Sequence, residues 1–344
     1  LNAWFSEAHR LHTGLKEFSY GQWLDGFELP VRAEAVRERF LALQLGPVQA
    51  PPDRGLAPLA RVHAADYLDF LQQAWPRWTA LGRRHPALPM IWRADAQLPH
   101  QLPRHIDGQL GFYSQDAECS LVEGTWAAVY GSAQCALAAA ADLLAGQRCS
   151  FAICRPPGHH ATARAMGGFC YLNNVAIAAQ SLRDHGLQRV AVVDVDYHHG
   201  NGTQSIFWSR GDVFFASLHA DPHDDYPFFS GHASETGIGE GLGRNLNLPL
   251  PPGTDGAQYL AALDRALQAV AAFGPQALLV SLGVDTFERD PISAFKLRSD
   301  DYPQIGRRLA ALGLPTAYVF EGGYATEEVG ANTVGVLQGH LAAG

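Results

Sequence analysis

No uninterrupted run of eighteen apolar residues occurs in the 344-residue sequence, so nothing in it reads as a membrane-spanning helix. The first residues also lack the basic flank and apolar core of a secretory signal, and a cytoplasmic protein without membrane contact is expected. Cysteine is sparse: five residues, at 119, 135, 149, 154 and 170, with no CxxC spacing among them. That argues against a disulfide framework and for reduced thiols, and the apolar neighbours of Cys154 and Cys170 point to packing roles. A basic stripe is missing too, with 25 Lys and Arg against 34 Asp and Glu and a net charge of −9. A nucleic-acid binder would show such a stripe, whereas an acidic surface concentrates cationic ligands. There is no internal repeat and no low-complexity segment.

What is present is apolar: 47% of the residues are hydrophobic, enough for a large core. Helical spacing runs over 31–44 and again over 59–78, where Val62, Tyr67, Phe70, Leu71 and Trp75 recur on one face. Gly124-Thr125 opens an Ala-rich helix that reaches about Leu144. Beyond it, apolar strands at 151–154, 190–193, 213–218, 277–282 and 316–320 are separated by helices at 173–185, 256–273 and 303–312. This alternation predicts an α/β fold with a central, mostly parallel sheet and helices on both faces. The reactive segments described next are scattered from 155 to 324, so a single domain over 1–344 is expected rather than two. Three stretches read as loops: 46–58, 220–255, and 82–118 with Pro86, Pro89, Pro99 and Pro103. A loop as long as the last is functional or interfacial. Its Met90, Ile91 and Trp92, and its Phe112 and Tyr113, are apolar groups that need cover.

The chain is organised around VAVVDVDYHHGNGT, residues 190 to 203. A buried strand delivers Asp194, Asp196, His198 and His199 before a Gly-Asn-Gly turn, and the crevice beyond a strand's carboxyl end is where open α/β sheets place chemistry. Side chains two apart on an extended segment face one way but start roughly 6.6 Å apart. The chain must therefore curl if they are to converge on an ion, which Gly200 and Gly202 permit. A solvated turn is the competing reading of one DxH. Three further segments weigh against it: RPPGHH with His159 and His160, SLGVDTFERDP with Asp285, and VFEGGY with Tyr324.

Together RPPGHHA, DVDYHHGNGTQ, FFASLH, SLGVDTFERDPISAFKL and EGGY resemble the arginase/deacetylase superfamily, which includes the zinc-dependent histone deacetylases. The likeness is greatest to its bacterial acetylpolyamine amidohydrolases, and runs from FSEAH near the start to the final helix. It implies a single-domain arginase/deacetylase fold whose long loops form an active-site tunnel. It also implies zinc on Asp196, His198 and Asp285, three protein ligands that leave a position open for water and substrate. Ligand type alone would also admit Fe(II), Co(II) or Mn(II). His160 matches the general base and His159 an electrostatic partner, oriented by Asn201 and Asp194 respectively. A neutral partner supports imidazolium less than a carboxylate does, so a lower pKa is expected for His160 than for His159. Tyr324 matches the oxyanion donor. Potassium is implied at the Asp194 and Ser217 side chains with main-chain oxygens of Asp194, Asp196, His198 and Leu218. A second potassium site is implied at carbonyls near Phe207, Arg210, Val213 and Arg244. Phe169 and Tyr226 are expected to flank the tunnel, with Gly168 leaving width. Glu17, Asp107 and Glu118 are the expected acids of the tunnel mouth, although Asp107 is a methylene shorter than the Glu expected there.

The function implied is metal-activated water attack on the acetamide of a small cationic acetylated polyamine or diamine. A protein acetyl-lysine deacetylase, a silent acetyl-ligand binder and a two-manganese ureohydrolase are the alternatives. A homodimer is expected in which 82–118 crosses to the partner's mouth, carrying Glu118 to the neighbouring site and excluding folded protein tails.

Overall fold

Five fully buried apolar segments form the middle of the fold. In the computed structural model, which describes residues 1–19, 21–93 and 101–343, all five expected strands are present. The strands are β1 (Asn2–Phe5), β2 (Lys16–Ser19), β3 (Gln22–Asp25), β4 (Val48–Gln49) and β5 (Cys149–Ile153). They continue with β6 (Val190–Asp194), β7 (Val213–Ala220), β8 (Asn245–Leu250), β9 (Ala277–Leu282) and β10 (Thr316–Phe320). Eight of them make one sheet in the order β4-β1-β5-β10-β9-β6-β7-β8, and every pairing in it is parallel. The helices are α1 (Pro30–Ala42), α2 (Ala65–Ala80), α3 (Ile106–Phe112), α4 (Thr125–Leu144), α5 (Asn174–Asp184), α6 (Asn201–Phe207), α7 (Gly256–Phe273), α8 (Tyr302–Ala310) and α9 (Val329–Ala343).

Alternation along each strand divides the core between the two faces of the sheet. On β6, Ala191 and Val193 join Phe40 of α1, Leu263 of α7, Ile305 of α8 and Val334 of α9. Val190 and Val192 turn the other way, toward Ala136 of α4 and Val175 of α5. Helix α4 is long and apolar enough to cross a membrane by length and composition, with a mean hydropathy of 1.3, but 72% of that stretch is buried inside the fold. The five cysteines are free and buried.

The structure corrects the three stretches read as loops. Segment 220–255 contains β8, the sheet's far edge; its Pro249 has no N–H to donate, which an edge strand tolerates. Segment 46–58 contains the two-residue β4 at the other edge, where it pairs with β1. Segment 82–118 contains α3, capped by the His105 side chain. Ala87, Ile106, Leu110, Phe112 and Tyr113 are buried there in a separate core cluster with α2. Phe112 and Tyr113 therefore take their cover from their own chain, whereas Met90 and Ile91 stay 77% and 61% exposed. Residues 94–100, within that stretch, lie outside the described residues.

Candidate active site

The carboxyl ends of β5, β6, β9 and β10 lie side by side, because Asp194 is in register with Ser281 and Phe320 with Leu282. Just beyond these ends the chain delivers His159 and His160, Asp196 and His198, Asp285, and Tyr324. Parallel pairing thus gathers side chains that stand up to 165 residues apart in sequence, from His159 to Tyr324.

Donor atoms of Asp196, His198 and Asp285 lie within 4.8 Å of one another, all buried. His198 Nδ1 is 3.0 Å from Asp285 Oδ2 and 3.4 Å from Asp196 Oδ1. Burial and the charge of Asp196 push the Asp285 carboxyl up to about 8, since two carboxylates so close resist ionising together. Asp196 is held low despite its burial, by the charge of His159 and by bonding to and the charge of His198. Two buried acids and one imidazole facing one point are the donor set of a divalent cation with an open coordination position, and the residues fit one. The approach is close enough to need glycine behind it. A Cβ at Gly283 would lie 2.0 Å from Asp196 Oδ2, and one at Gly322 2.5 Å from both Asp196 Oδ2 and Asp285 Oδ2. His159, Cys170 and Glu321 also converge. Glu321 Oε2 is occupied there by the main-chain N–H groups of Gly158 and His159, at 2.6 and 3.2 Å, and burial keeps the Cys170 thiol protonated.

The rings of His159 and His160 are 4.0 Å apart, and each has a partner on Nδ1. His159 meets Asp194 Oδ2 at 2.9 Å, and His160 meets Asn201 Oδ1 at 2.7 Å. Burial opposes a charge on either ring. For His159 the carboxylates of Asp196 and Asp194 outweigh it and raise the pKa to about 10. For His160, burial and the charges of His159 and His198 act together and push it well down. The pair therefore splits in the direction that its unlike partners suggest.

Tyr324 follows the turn after β10, where its N–H donates to Asp290 Oδ2 at 2.7 Å. Arg32, reaching from α1, donates to the carbonyls of Gly323 and Glu321 at 2.6 and 2.5 Å and stacks 4.4 Å from the Tyr324 ring. Burial raises the phenol far above its usual value, so it stays a hydrogen-bond donor. Arg32 is itself held by Glu28 at 2.7 Å, and Glu28 by Arg155 at 2.9 Å. Neither Arg32 nor Asp290 was expected from sequence. Both act on main-chain groups, for which no motif spacing gives a signal.

A narrow cavity of ≈ 90 Å³ leads to this constellation, lined among others by Glu17, Glu118, Gly168, Phe169, Tyr226 and Tyr324. Five of the six expected tunnel residues are therefore brought together, and Phe27, Asp225 and Ile292 join them unforeseen. Asp107 is not among them: on α3 it forms an ion pair with Arg83, which holds its carboxyl below the usual range. In the single chain a nearer cation takes it, and it does not line this cavity. Glu118, expected at a neighbouring site, lines the cavity of its own chain. Burial, Asp116 and Glu17 raise Glu118 to about 8, and burial and Asp116 raise Glu17 to about 7. Glu17 Oε2 is buried without a hydrogen-bond partner. The unforeseen Asp116 accepts from the Tyr226 hydroxyl at 2.7 Å, Gly168 N at 2.9 Å and Glu118 N at 3.0 Å, tying both walls of the cavity together.

Of the expected potassium groups, Asp194, Ser217 and Leu218 lie together. Ser217 pairs with Asp194 in the β6–β7 ladder, and its hydroxyl is 2.8 Å from His219 Nδ1, with Leu218 buried beside it. At the second expected site the carbonyls of Phe207 and Arg244 already accept from Arg210 N and Phe215 N, both at 2.9 Å, and Val213 lies on β7.

A histone deacetylase domain model matches residues 27–339. Acetylpolyamine amidohydrolase 2 of Pseudomonas aeruginosa is 51% identical over 335 residues, covering 97% of each chain. Acetylpolyamine amidohydrolase of Mycoplana ramosa is 46% identical over 335 residues, covering 97% of this chain and 98% of its own. The crystal structure of acetylpolyamine aminohydrolase from Burkholderia pseudomallei superposes with a TM-score of 0.94 at 41% identity, over 100% of this chain and 99% of that one.

Proposed function

The chain belongs to the histone deacetylase domain family and is a hydrolase of amide bonds, and from that premise we propose that it deacetylates acetylated polyamines or small acetylated diamines. The family is metal-dependent. Asp196, His198 and Asp285 would hold the ion, which we assign as zinc; when bound it acidifies a water and polarises the acetyl carbonyl. His160 takes the water's proton at Nε2, its Nδ1 being engaged by Asn201, and the proton passes to the amine nitrogen as the C–N bond breaks. His159, charged against Asp194, stabilises the negative charge that develops beside it. Tyr324 gives its hydroxyl hydrogen bond to the oxygen of the tetrahedral intermediate. Phe169 and Tyr226 grip the methylene chain, and Asp116 holds the Tyr226 hydroxyl. Potassium at Asp194, Ser217 and the main-chain oxygens of Asp196, His198 and Leu218 would neutralise the acids behind the ligand loop.

The observation that carries the substrate class is the cavity's pair of acids, Glu17 with an unpartnered buried oxygen and Glu118 beside it. A buried carboxyl oxygen without a partner, and the cost of charging the group there, would both be offset by a substrate ammonium. Product analysis on acetylated diamines, acetylated polyamines and acetyl-lysine peptides tests this. Turnover is expected to be fastest on the small cationic amines and to cease when a chelator strips the metal. Faster release of acetate from the peptides would overturn the assignment in favour of a protein deacetylase. We further propose a homodimer, supported by the exposed Phe18, Trp23, Met90, Ile91 and Trp92.

A further inference from the structure

If His160 is the base, the reading on which this inference rests, its proton must sit on Nδ1 and leave the Nε2 lone pair free. Asn201 alone does not ensure that. An amide has an accepting and a donating face. Turned over, Asn201 would present Nδ2 to the ring and call for the tautomer with its proton on Nε2, where the base has to act. His159 has no such ambiguity, because both oxygens of Asp194 accept.

We infer that Gln115 is a positioning residue that locks the tautomer of His160 by fixing which way Asn201 faces. The His160 carbonyl can only accept, so Gln115 must present Nε2 to it, at 2.8 Å. That turns Gln115 Oε1 to Asn201, and because Oε1 can only accept, Asn201 must present Nδ2, at 2.8 Å. Asn201 Oδ1 is thereby left facing His160 Nδ1 at 2.7 Å, and Nδ1 must carry the proton. The bonds close a ring that starts and ends on His160, and each direction in it follows from one carbonyl that cannot be turned over.

The surroundings hold Gln115 in place for this. Its N–H donates to Met166 O at 2.8 Å, and Met166 N donates to Tyr113 O at 2.8 Å. A Cβ at Gly167 would lie 2.9 Å from Gln115 Nε2 and 2.8 Å from Asp116 Oδ2, so that glycine keeps the approach open. The Gln115 side chain is exposed. Water in its place would satisfy either face of Asn201 and impose no direction.

Gln115→Leu removes both amide functions while keeping much of the bulk. In the double variant Gln115→Leu/Asn201→Asp, the partner of His160 is a carboxylate with no donating face, so no lock is needed. The readouts are ring-nitrogen shifts of ¹⁵N-histidine in the zinc-loaded protein, with His160 assigned from a His160→Gln sample, and kcat and KM on one acetylated diamine. The wild-type protein should show the Nδ1–H form alone. Gln115→Leu should show both forms, with kcat about tenfold lower and KM changed by less than about twofold. The double variant should return to the Nδ1–H form and recover most of the lost kcat. A merely structural glutamine would not be rescued in this way. Two results overturn the lock: Gln115→Leu with the wild-type tautomer and kcat, or a loss that Asn201→Asp leaves unrepaired. Full activity in His160→Gln would instead overturn the base assignment, while the tautomer comparison still decides the lock.

Discussion

Tyr324 and Asp285 separate two contributions that one active site combines. Tyr324→Phe keeps the ring against Arg32 and Phe169 and removes only the hydroxyl. Loss of a single oxyanion donor costs about 100- to 1000-fold in kcat, so steady-state kinetics should show that loss with metal content and KM little changed. A rise in KM at constant kcat would make Tyr324 a substrate-binding residue instead. Asp285→Ala and His198→Ala each leave two protein ligands. Purified samples of both should carry little metal by elemental analysis, and stoichiometric zinc with normal activity in Asp285→Ala would sink the ligand assignment. Glu17 and Glu118 give a pH dependence whose sign follows from their raised values, about 7 and 8. Below those values both carboxyls are neutral and hold no ammonium; above them both are charged. KM for a cationic acetylated polyamine should therefore fall as pH rises from about 6 to about 9, and KM for an uncharged acetamide of similar length should not. At this scale the reactive side chains are legible because four strand-end segments carry Asp, His and Tyr in an order whose family resemblance implies their roles. Arg32, Gln115, Asp116 and Asp290 are not, since each works through contacts that exist only after folding, across as many as 291 residues for Arg32 and Gly323.

At the scale of elements, the ends of β9 and β10 act as a vice around Asp196. Gly283 follows β9 and Gly322 follows β10 at the places where any side chain would enter the carboxylates. Gly283→Ala should therefore displace Asp196 and lower metal affinity while circular dichroism stays native. Gly335→Ala on α9 is the control, because the nearest atom to its added methyl is at 3.5 Å, an ordinary contact. Equal metal content in both variants would refute the claim that backbone proximity shapes the ligand set. The five central strands were readable because each is a short apolar run buried on both faces. The edges were not: β4 has two residues, β1 is half-buried, and β8 carries a proline within a Gly- and Pro-rich stretch. Helix α3 leaves no periodic signal in the sequence because it has seven residues, fewer than the two turns a 3.6-residue period needs to show itself.

Among the described residues, the apolar side chains left without cover include a pair on the β2–β3 hairpin and a run at 90–92. Phe18 and Trp23 pair edge to face on the β2–β3 hairpin, and the hairpin is tied to the acid-bearing segment by Phe18 N to Ala117 O at 3.2 Å. Trp23 is 65% exposed, and Met90, Ile91 and Trp92 are exposed too. Patches of this kind mark association sites, and one linked to the backbone of 115–118 would couple assembly to the cavity. Removing residues 86–103 is a poor test of this, because Ala87 exchanges two 2.9 Å main-chain bonds with Leu121 and is fully buried. Ile91→Glu is cleaner. The side chain is largely exposed, so the folded chain should lose less than about 1 kcal/mol, and any change in size reports on association. Sedimentation should find the wild-type protein dimeric at assay concentration and Ile91→Glu shifted toward monomer. If the second copy narrows the entrance, the monomeric variant should also gain activity on acetyl-lysine peptides relative to acetylated polyamines. A wild-type monomer with full polyamine activity would remove the dimer from the account, and a monomeric variant with unchanged selectivity would leave the cavity of one chain, with Glu17 and Glu118, as the whole basis of substrate choice.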